Sequence, residues 1–253
     1  MNLLDFVLLS KEGRSGGSRD GLTDKIGARR FGQLRQGQII ETLRLARGLS
    51  SYQLAELFFK NVKPELRQIK ARAVLRKLYQ DKKINRYRRD INTPYIYYLG
   101  RYNNRVTDWP KINEVLMSIF NQLASWQRIL ELKTEVTISL DGRKEFLVPD
   151  AWLQMKVTMD RLRCLFLEYE DSQDFYKTTK YEKLYTTFKY EPWAVELADE
   201  YEFPYILVVC ETATVKKYIQ KKVARDNKYN LPYRVATADE VKTDIWSVLK
   251  GGK

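Results

Sequence analysis

The 253-residue sequence predicts a mixed α/β protein in two parts. A small helical module closed by a basic β-hairpin comes first, and a three-layer α/β/α domain built on a mixed sheet follows. Three observations predict this. Apolar residues recur at helical spacing in three short N-terminal segments, which give way to a Lys/Arg-rich stretch that turns back on itself. Further along, strand-like apolar runs are separated by helical segments. The charge is also divided: residues 1–100 hold 21 Lys/Arg against 9 Asp/Glu, and residues 101–253 hold 24 against 23, so nearly all of the net +13 lies in the first part.

Residues 10–30 are rich in Gly, Ser and charge and read as part of a flexible segment spanning residues 1–30. A first helix is expected over 33–47, from Leu34, Ile39, Ile40, Leu43 and Leu45. Ser50 or Ser51 caps a second over 52–59, with Leu54, Leu57 and Phe58 on one face. Pro64 opens a third, to about Gln80, with Leu66, Ile69, Ala73, Val74 and Leu78 as its apolar positions. Lys82-Lys83-Ile84-Asn85-Arg86-Tyr87-Arg88-Arg89 and Pro94-Tyr95-Ile96-Tyr97-Tyr98-Leu99 form the arms of a hairpin. Three helices followed by a basic hairpin is the pattern of a winged helix-turn-helix, expected over residues 31–105. Between Arg67 and Arg89 there are 10 Lys/Arg and a single acid, Asp81, too few acids for a merely solvated helix face. The candidate DNA contacts are Arg67, Gln68, Lys70, Arg72, Arg76, Lys77, Lys82, Lys83, Arg86, Arg88 and Arg89, with double-stranded DNA as the partner.

Asp108-Trp109-Pro110 reads as a linker into the second domain, residues 106–253. Ile112, Val115, Leu116, Ile119, Phe120 and Leu123 predict a helix ending near Trp126. Residues 130–140 alternate like a strand, Asp141-Gly142 is a two-residue hairpin turn, and residues 145–148 return to Pro149-Asp150. Strands over 151–157 and 162–169 flank a turn near Asp160, and a helix follows over 174–190. The fully apolar run 205–210 reads as a buried strand. Thr212 then precedes a helix to about Arg225, a short strand lies near Arg234-Val235, and a last helix spans 239–249.

The chain has no histidine, which excludes His-ligated zinc and Ser-His-Asp chemistry. A metal would be held by oxygen ligands, and a general base would be a carboxylate, Lys or Tyr. Cys164 and Cys210 lie in apolar runs without a Cys-x-x-Cys pattern and read as buried reduced thiols. The apolar residues 3–9 are too short for a membrane span and lack the charged flank of a signal peptide, so a cytoplasmic, non-membrane protein is expected.

Two acidic motifs carry the chemistry, Pro149-Asp150 and Glu168-Tyr169-Glu170, each at the end of a strand-like segment. Carboxylates converging at strand ends hold hard divalent cations. With the element order, they resemble the restriction-endonuclease-like, or PD-(D/E)xK, nucleases. The resemblance implies that Asp150 and Glu168 share Mg²⁺ or Mn²⁺, with Glu170 as a further ligand. That superfamily usually has Lys where this chain has Glu170, so the positive charge is expected from Lys177, Lys180 or Lys183 on the next helix, with Lys180 favoured. Leu147-Val148-Pro149-Asp150-Ala151, Leu167-Glu168-Tyr169-Glu170-Asp171, the segment from Lys180 to Tyr185, and Phe203-Pro204-Tyr205-Ile206-Leu207-Val208 further resemble the replication-relaxation family, related to MobC-class relaxases. The resemblance implies a DNA-nicking protein of a plasmid, phage or integrative element, or a diverged DNA-binding relative. A second copy of the chain and other mobilisation or replication proteins are further candidate partners. The alternatives are a non-catalytic replication or transcription regulator on a degenerate nuclease fold and a protein–protein adaptor. Tyr176, Tyr181 and Tyr185 lie near the acidic motifs, but tyrosine is spread over much of the chain and fits strands and interfaces.

Overall fold

The computed structural model describes residues 23–140, 146–157, 162–187 and 203–250. It is a mixed α+β protein with seven α-helices among the described residues and a mixed five-stranded sheet. Its contacts divide the chain into two compact units, Met1–Glu114 and Val115–Lys253.

The first unit runs α1 (Thr23–Ala46), β1 (Gly48–Ser50), α2 (Ser51–Phe58), α3 (Pro64–Gln80), β2 (Asn85–Tyr87), β3 (Ile96–Tyr98) and a 3₁₀ turn (Asn104–Thr107). The helix α4 (Trp109–Asn121) contains the division between the units. The helix α1 starts at Thr23, inside the segment expected to be flexible; good helix formers there are Lys25, Ala28, Arg29 and Arg30. Residues 1–22 of that expected segment lie outside the described residues. Ser50 caps α2 through a capping box, its hydroxyl accepting from Gln53 N at 3.2 Å while the Gln53 side chain accepts from Ser50 N at 2.9 Å. The strand β1 was not expected; three residues are too few to show a period. It pairs antiparallel with β3, which also pairs with β2, in the order β1-β3-β2.

The core of this unit joins Ile39 and Leu43 of α1, Leu49, Leu54 of α2, Leu75 and Leu78 of α3, Ile84 and Tyr97. Leu34 and Leu45 of α1 and Leu66 and Ile69 of α3, expected in the core, are exposed. The helix α3 instead buries Ala71, Leu75 and Leu78, a phase that leaves Leu66, Ile69 and Ala73 among the cations. Asp108-Trp109-Pro110 opens α4 rather than a linker, with Trp109 buried and the Asp108 carbonyl accepting from Ile112 N at 3.0 Å. The buried amide of Asn113 donates to the carbonyls of Ala46 and Gly48, both at 2.8 Å, and fixes α4 to the end of α1. The helix stops at Asn121, short of Trp126.

The second unit contains β4 (Arg128–Thr134), β5 (Ile138–Ser139), β6 (Phe146–Leu147), β7 (Ala151–Lys156), β8 (Leu162–Glu170), α5 (Thr178–Thr187), β9 (Tyr205–Cys210), α6 (Ala213–Asp226), β10 (Tyr233–Thr237) and α7 (Ala238–Lys250). The single strand expected over 130–140 is broken into β4 and β5, with Glu135 between them at positive φ. The expected turns at Asp141-Gly142 and Asp160 and the end of the expected helix at residues 188–190 lie outside the described residues.

The sheet order is β10-β9-β8-β7-β4. Strands β8, β9 and β10 run parallel, and β7 and β4 are added antiparallel. On one face Trp152, Cys164, Phe166, Ile206, Val208 and Cys210 pack with Tyr181 and Leu184 of α5 and Val215, Ile219 and Val223 of α6. The alternate residues Leu153, Leu165, Leu167, Leu207 and Val209 are also fully buried, so both faces of the central strands are covered. That is why β8 and β9 read as near-continuous apolar runs. Among the described residues no helix is long and apolar enough to cross a membrane.

Candidate functional site

The antiparallel register places the two acidic motifs side by side. The last registered pairs of β7 and β8 are Trp152↔Phe166 and Ala151↔Leu167, and the next residues along the two segments are Asp150 and Glu168. The backbone amide of Asp150 donates to the Leu167 carbonyl at 3.0 Å, one residue out of that register, so the regular ladder ends there. The rings of Trp152 and Phe166 pack 4.8 Å apart on one face, and strand alternation puts Glu168 on the face of Phe166. The Asp150 carboxylate acts on Glu168, Lys177 and Tyr181 alike, so both acids lie on the side that α5 covers, and they are 2 % and 0 % exposed.

Each carboxylate is held. Asp150 Oδ2 accepts from the backbone N–H of Tyr169 at 2.6 Å. Glu168 Oε1 accepts from the Tyr181 hydroxyl at 2.6 Å, and Glu168 Oε2 pairs with the Lys177 ammonium. Lys177 also donates to the Val148 carbonyl at 3.3 Å, tying the segment before Asp150 to the start of α5. Tyr181 stands one helical turn beyond Lys177, and its N–H donates to the Lys177 carbonyl at 3.0 Å, so one turn supplies both groups that reach Glu168.

Burial pushes the Glu168 carboxyl up to about 7; the Lys177 ammonium opposes this and the Asp150 carboxylate reinforces it. For Lys177 burial acts downward, but Glu168, Asp150 and Glu170 outweigh it and hold the ammonium above its ordinary range. Tyr181 is pushed well up by burial and by Glu168, and stays a neutral donor. Glu170, half-buried at the end of β8, joins the field acting on Lys177. Three carboxylates thus act on one buried ammonium.

Lys180, the cation favoured from the sequence, does not fill this place. Its ammonium donates to the Phe146 carbonyl at 2.7 Å and lies 6.0 Å from the Tyr176 ring. Lys183 is exposed. Lys177 is the cation against Glu168 and stands just before α5 rather than on it, because the helix begins at Thr178 and not near Asp174. Of the tyrosines considered as nucleophiles, Tyr181 is buried and bonded to Glu168, Tyr176 is 68 % exposed, and Tyr185 packs against Phe203 and Tyr229. Burial pushes the Cys164 and Cys210 thiols up to about 12, which makes them inert.

The candidate nucleic-acid residues divide into two groups. Lys70, Arg72, Arg76 and Lys77 on α3, Lys82 and Lys83 beyond it, and Arg89 are exposed. Arg67 is engaged elsewhere: it donates to the carbonyls of Val62 and Lys60, both at 3.0 Å, and pairs with Glu56 at 3.0 Å, so it closes the α2–α3 turn. Gln68 is half-buried, with Oε1 buried and unbonded. Arg86 lies between the rings of Tyr79 and Tyr95 at 4.2 and 4.5 Å, and Arg88 lies 4.5 Å from Tyr95.

Two buried carboxylates in one layer make an oxygen donor set suited to a hard divalent cation, which commonly takes one or two carboxylates and completes its shell with water and phosphate. No group of three or more His, Cys, Asp or Glu able to hold a metal occurs among the described residues. Comparison with protein-family models, curated proteins and solved structures returns no match for this chain.

Proposed function

We propose that this chain is a DNA-binding protein of a mobile genetic element that nicks DNA in a divalent-metal-dependent reaction, as a replication-relaxation or relaxase-type nuclease of the PD-(D/E)xK kind. The observation that carries the reading is the proximity of buried Asp150 and Glu168, where the ends of β7 and β8 meet, with the Lys177 ammonium against Glu168. The strand order, with antiparallel β4 and β7 leading into parallel β8, β9 and β10, supports a nuclease core. The order α1-β1-α2-α3-β2-β3, with β1-β3-β2 pairing, supports a winged helix. The exposed cations of α3 and the hairpin support duplex DNA as the ligand.

Asp150 and Glu168 are the residues that would hold Mg²⁺ or Mn²⁺, with Glu170 near them. A bound divalent ion supplies polarisation of the scissile phosphate and acidification of water. The Tyr169 amide and the Tyr181 hydroxyl fix the two carboxylates in place before any ligand arrives. Lys177 provides the positive charge that the Glu170 position lacks, directed at charge that builds on the phosphate.

The test is conversion of supercoiled plasmid to open circles with Mg²⁺ or Mn²⁺. Asp150→Ala and Glu168→Ala should abolish nicking while leaving DNA affinity nearly intact, and cutting by both variants at the wild-type rate would reject the assignment. A second reading, a non-catalytic DNA-binding regulator, is favoured by one observation: both Glu168 oxygens are already engaged, by Tyr181 and by Lys177. That reading predicts salt-sensitive binding with no cleavage in any divalent metal.

A further inference from the structure

The turn between β2 and β3 holds an apolar side chain out into water. Ile91 is 79 % exposed, the highest value among the exposed large apolar residues described. The backbone beneath it is fixed. The Asp90 carboxylate accepts from Asn92 N at 2.8 Å and Thr93 N at 3.1 Å, and the Thr93 hydroxyl accepts from Asp90 N at 3.2 Å and donates to the Asp90 carbonyl at 3.0 Å. The arms behind the turn are braced as well: Arg86 lies over the Tyr79 and Tyr95 rings and Arg88 over Tyr95. Arg88 and exposed Arg89 stand beside the tip, and the exposed cations of α3 belong to the same unit.

We infer that the hairpin tip is a wedge: Ile91 inserts between base pairs of duplex DNA and kinks it, while Arg88 and Arg89 take the flanking phosphates. This rests on the DNA-binding reading and deepens it. Single exposed apolar residues are ordinary on protein surfaces. This one sits on a braced turn beside a run of cations, and stacked base steps rimmed by phosphates offer both the apolar slot and the charge that such a tip complements. A stiff tip loses little entropy on insertion, so more of the apolar contact can be used to offset unstacking. An anionic lipid surface would meet the same two features. The α3 cations favour DNA, since they lie along a helix that a groove accepts, and Ile91 alone gives a lipid surface little apolar area.

The experiment uses the full chain and a short random-sequence duplex carrying a fluorescence donor and acceptor at its ends. Wild type should shorten the end-to-end distance on binding. Ile91→Ala and Ile91→Ser should bind with an unchanged salt slope and an affinity lowered about tenfold or less, and leave the duplex straight. Ile91→Phe should restore the bend. Bending by Ile91→Ala equal to wild type, or binding by wild type without bending, overturns the wedge while the DNA-binding reading stands. No binding to any duplex overturns both. Ile91-dependent binding to phosphatidylserine vesicles, with DNA bending independent of Ile91, assigns the tip to lipid and also overturns the wedge.

Discussion

Replacing Glu168 with Gln removes a titratable group from the centre of the sheet while keeping an acceptor for the Tyr181 hydroxyl. The carboxyl titrates at an ordinary value of 4.5 when solvated and is pushed up to about 7 in the fold. The folded protein therefore holds this proton more tightly than the unfolded chain does. The resulting contribution to stability is fully present below pH 4.5 and is lost as pH climbs to about 7. Over that interval the loss amounts to about 3 kcal/mol. In the wild type the window of Lys177, whose value is raised from 10.5, lies above this range. The stability of Glu168→Gln relative to wild type should thus rise by about 3 kcal/mol between pH 4.5 and pH 7.5, then level off. Urea unfolding of both proteins across this range measures it, with tryptophan emission as the signal; Trp152 packs on Phe166 of the strand that carries Glu168. A difference that stays flat, or falls with pH, would refute the claim that Glu168 is a desolvated carboxylate.

Other outcomes follow from the same contacts. Lys177→Met should destabilise by about 3 kcal/mol or more at pH 8, and adding Glu168→Gln should recover much of that loss, because an unpartnered buried charge is worse than no charge. Ser50→Ala removes half of the α2 capping box and should lower stability by about 1 kcal/mol, read as a lowered Tm. Arg89→Ala should reduce the slope of log affinity for duplex DNA against log salt by about 1, whereas Arg67→Ala should lower stability and leave that slope unchanged, since Arg67 closes the α2–α3 turn.

Much of the architecture is legible in the sequence because its signals are local. Pro64 marks the start of α3 and Thr212 caps α6. The apolar run Tyr205-Ile206-Leu207-Val208-Val209-Cys210 reads as a strand covered on both faces from its length and β-branched content, and β9 is buried in that way. What was not legible depended on phase and on contacts distant in sequence. In α3, Ala71 and Leu75 bury instead of Ile69 and Ala73, since apolar residues occur on more than one side of that helix and its period alone does not choose between them. β1 is defined by its pairing with β3 rather than by its three residues. At the site, the acids were legible as motifs, but the cation was not. Helical periodicity ranks positions within a helix, and Lys177 reaches Glu168 from the residue before α5 begins. The signal that would have found it is the spacing from Lys177 to buried Tyr181 and Leu184, which puts all three on one side.

Assigning the site's positive charge to Lys177 is the central claim, and single-turnover nicking of supercoiled plasmid in Mn²⁺ by wild type and Lys177→Met tests it most directly. The account predicts a rate lowered by about 10²- to 10³-fold with DNA affinity nearly unchanged. Nicking by Lys177→Met at the wild-type rate would contradict it.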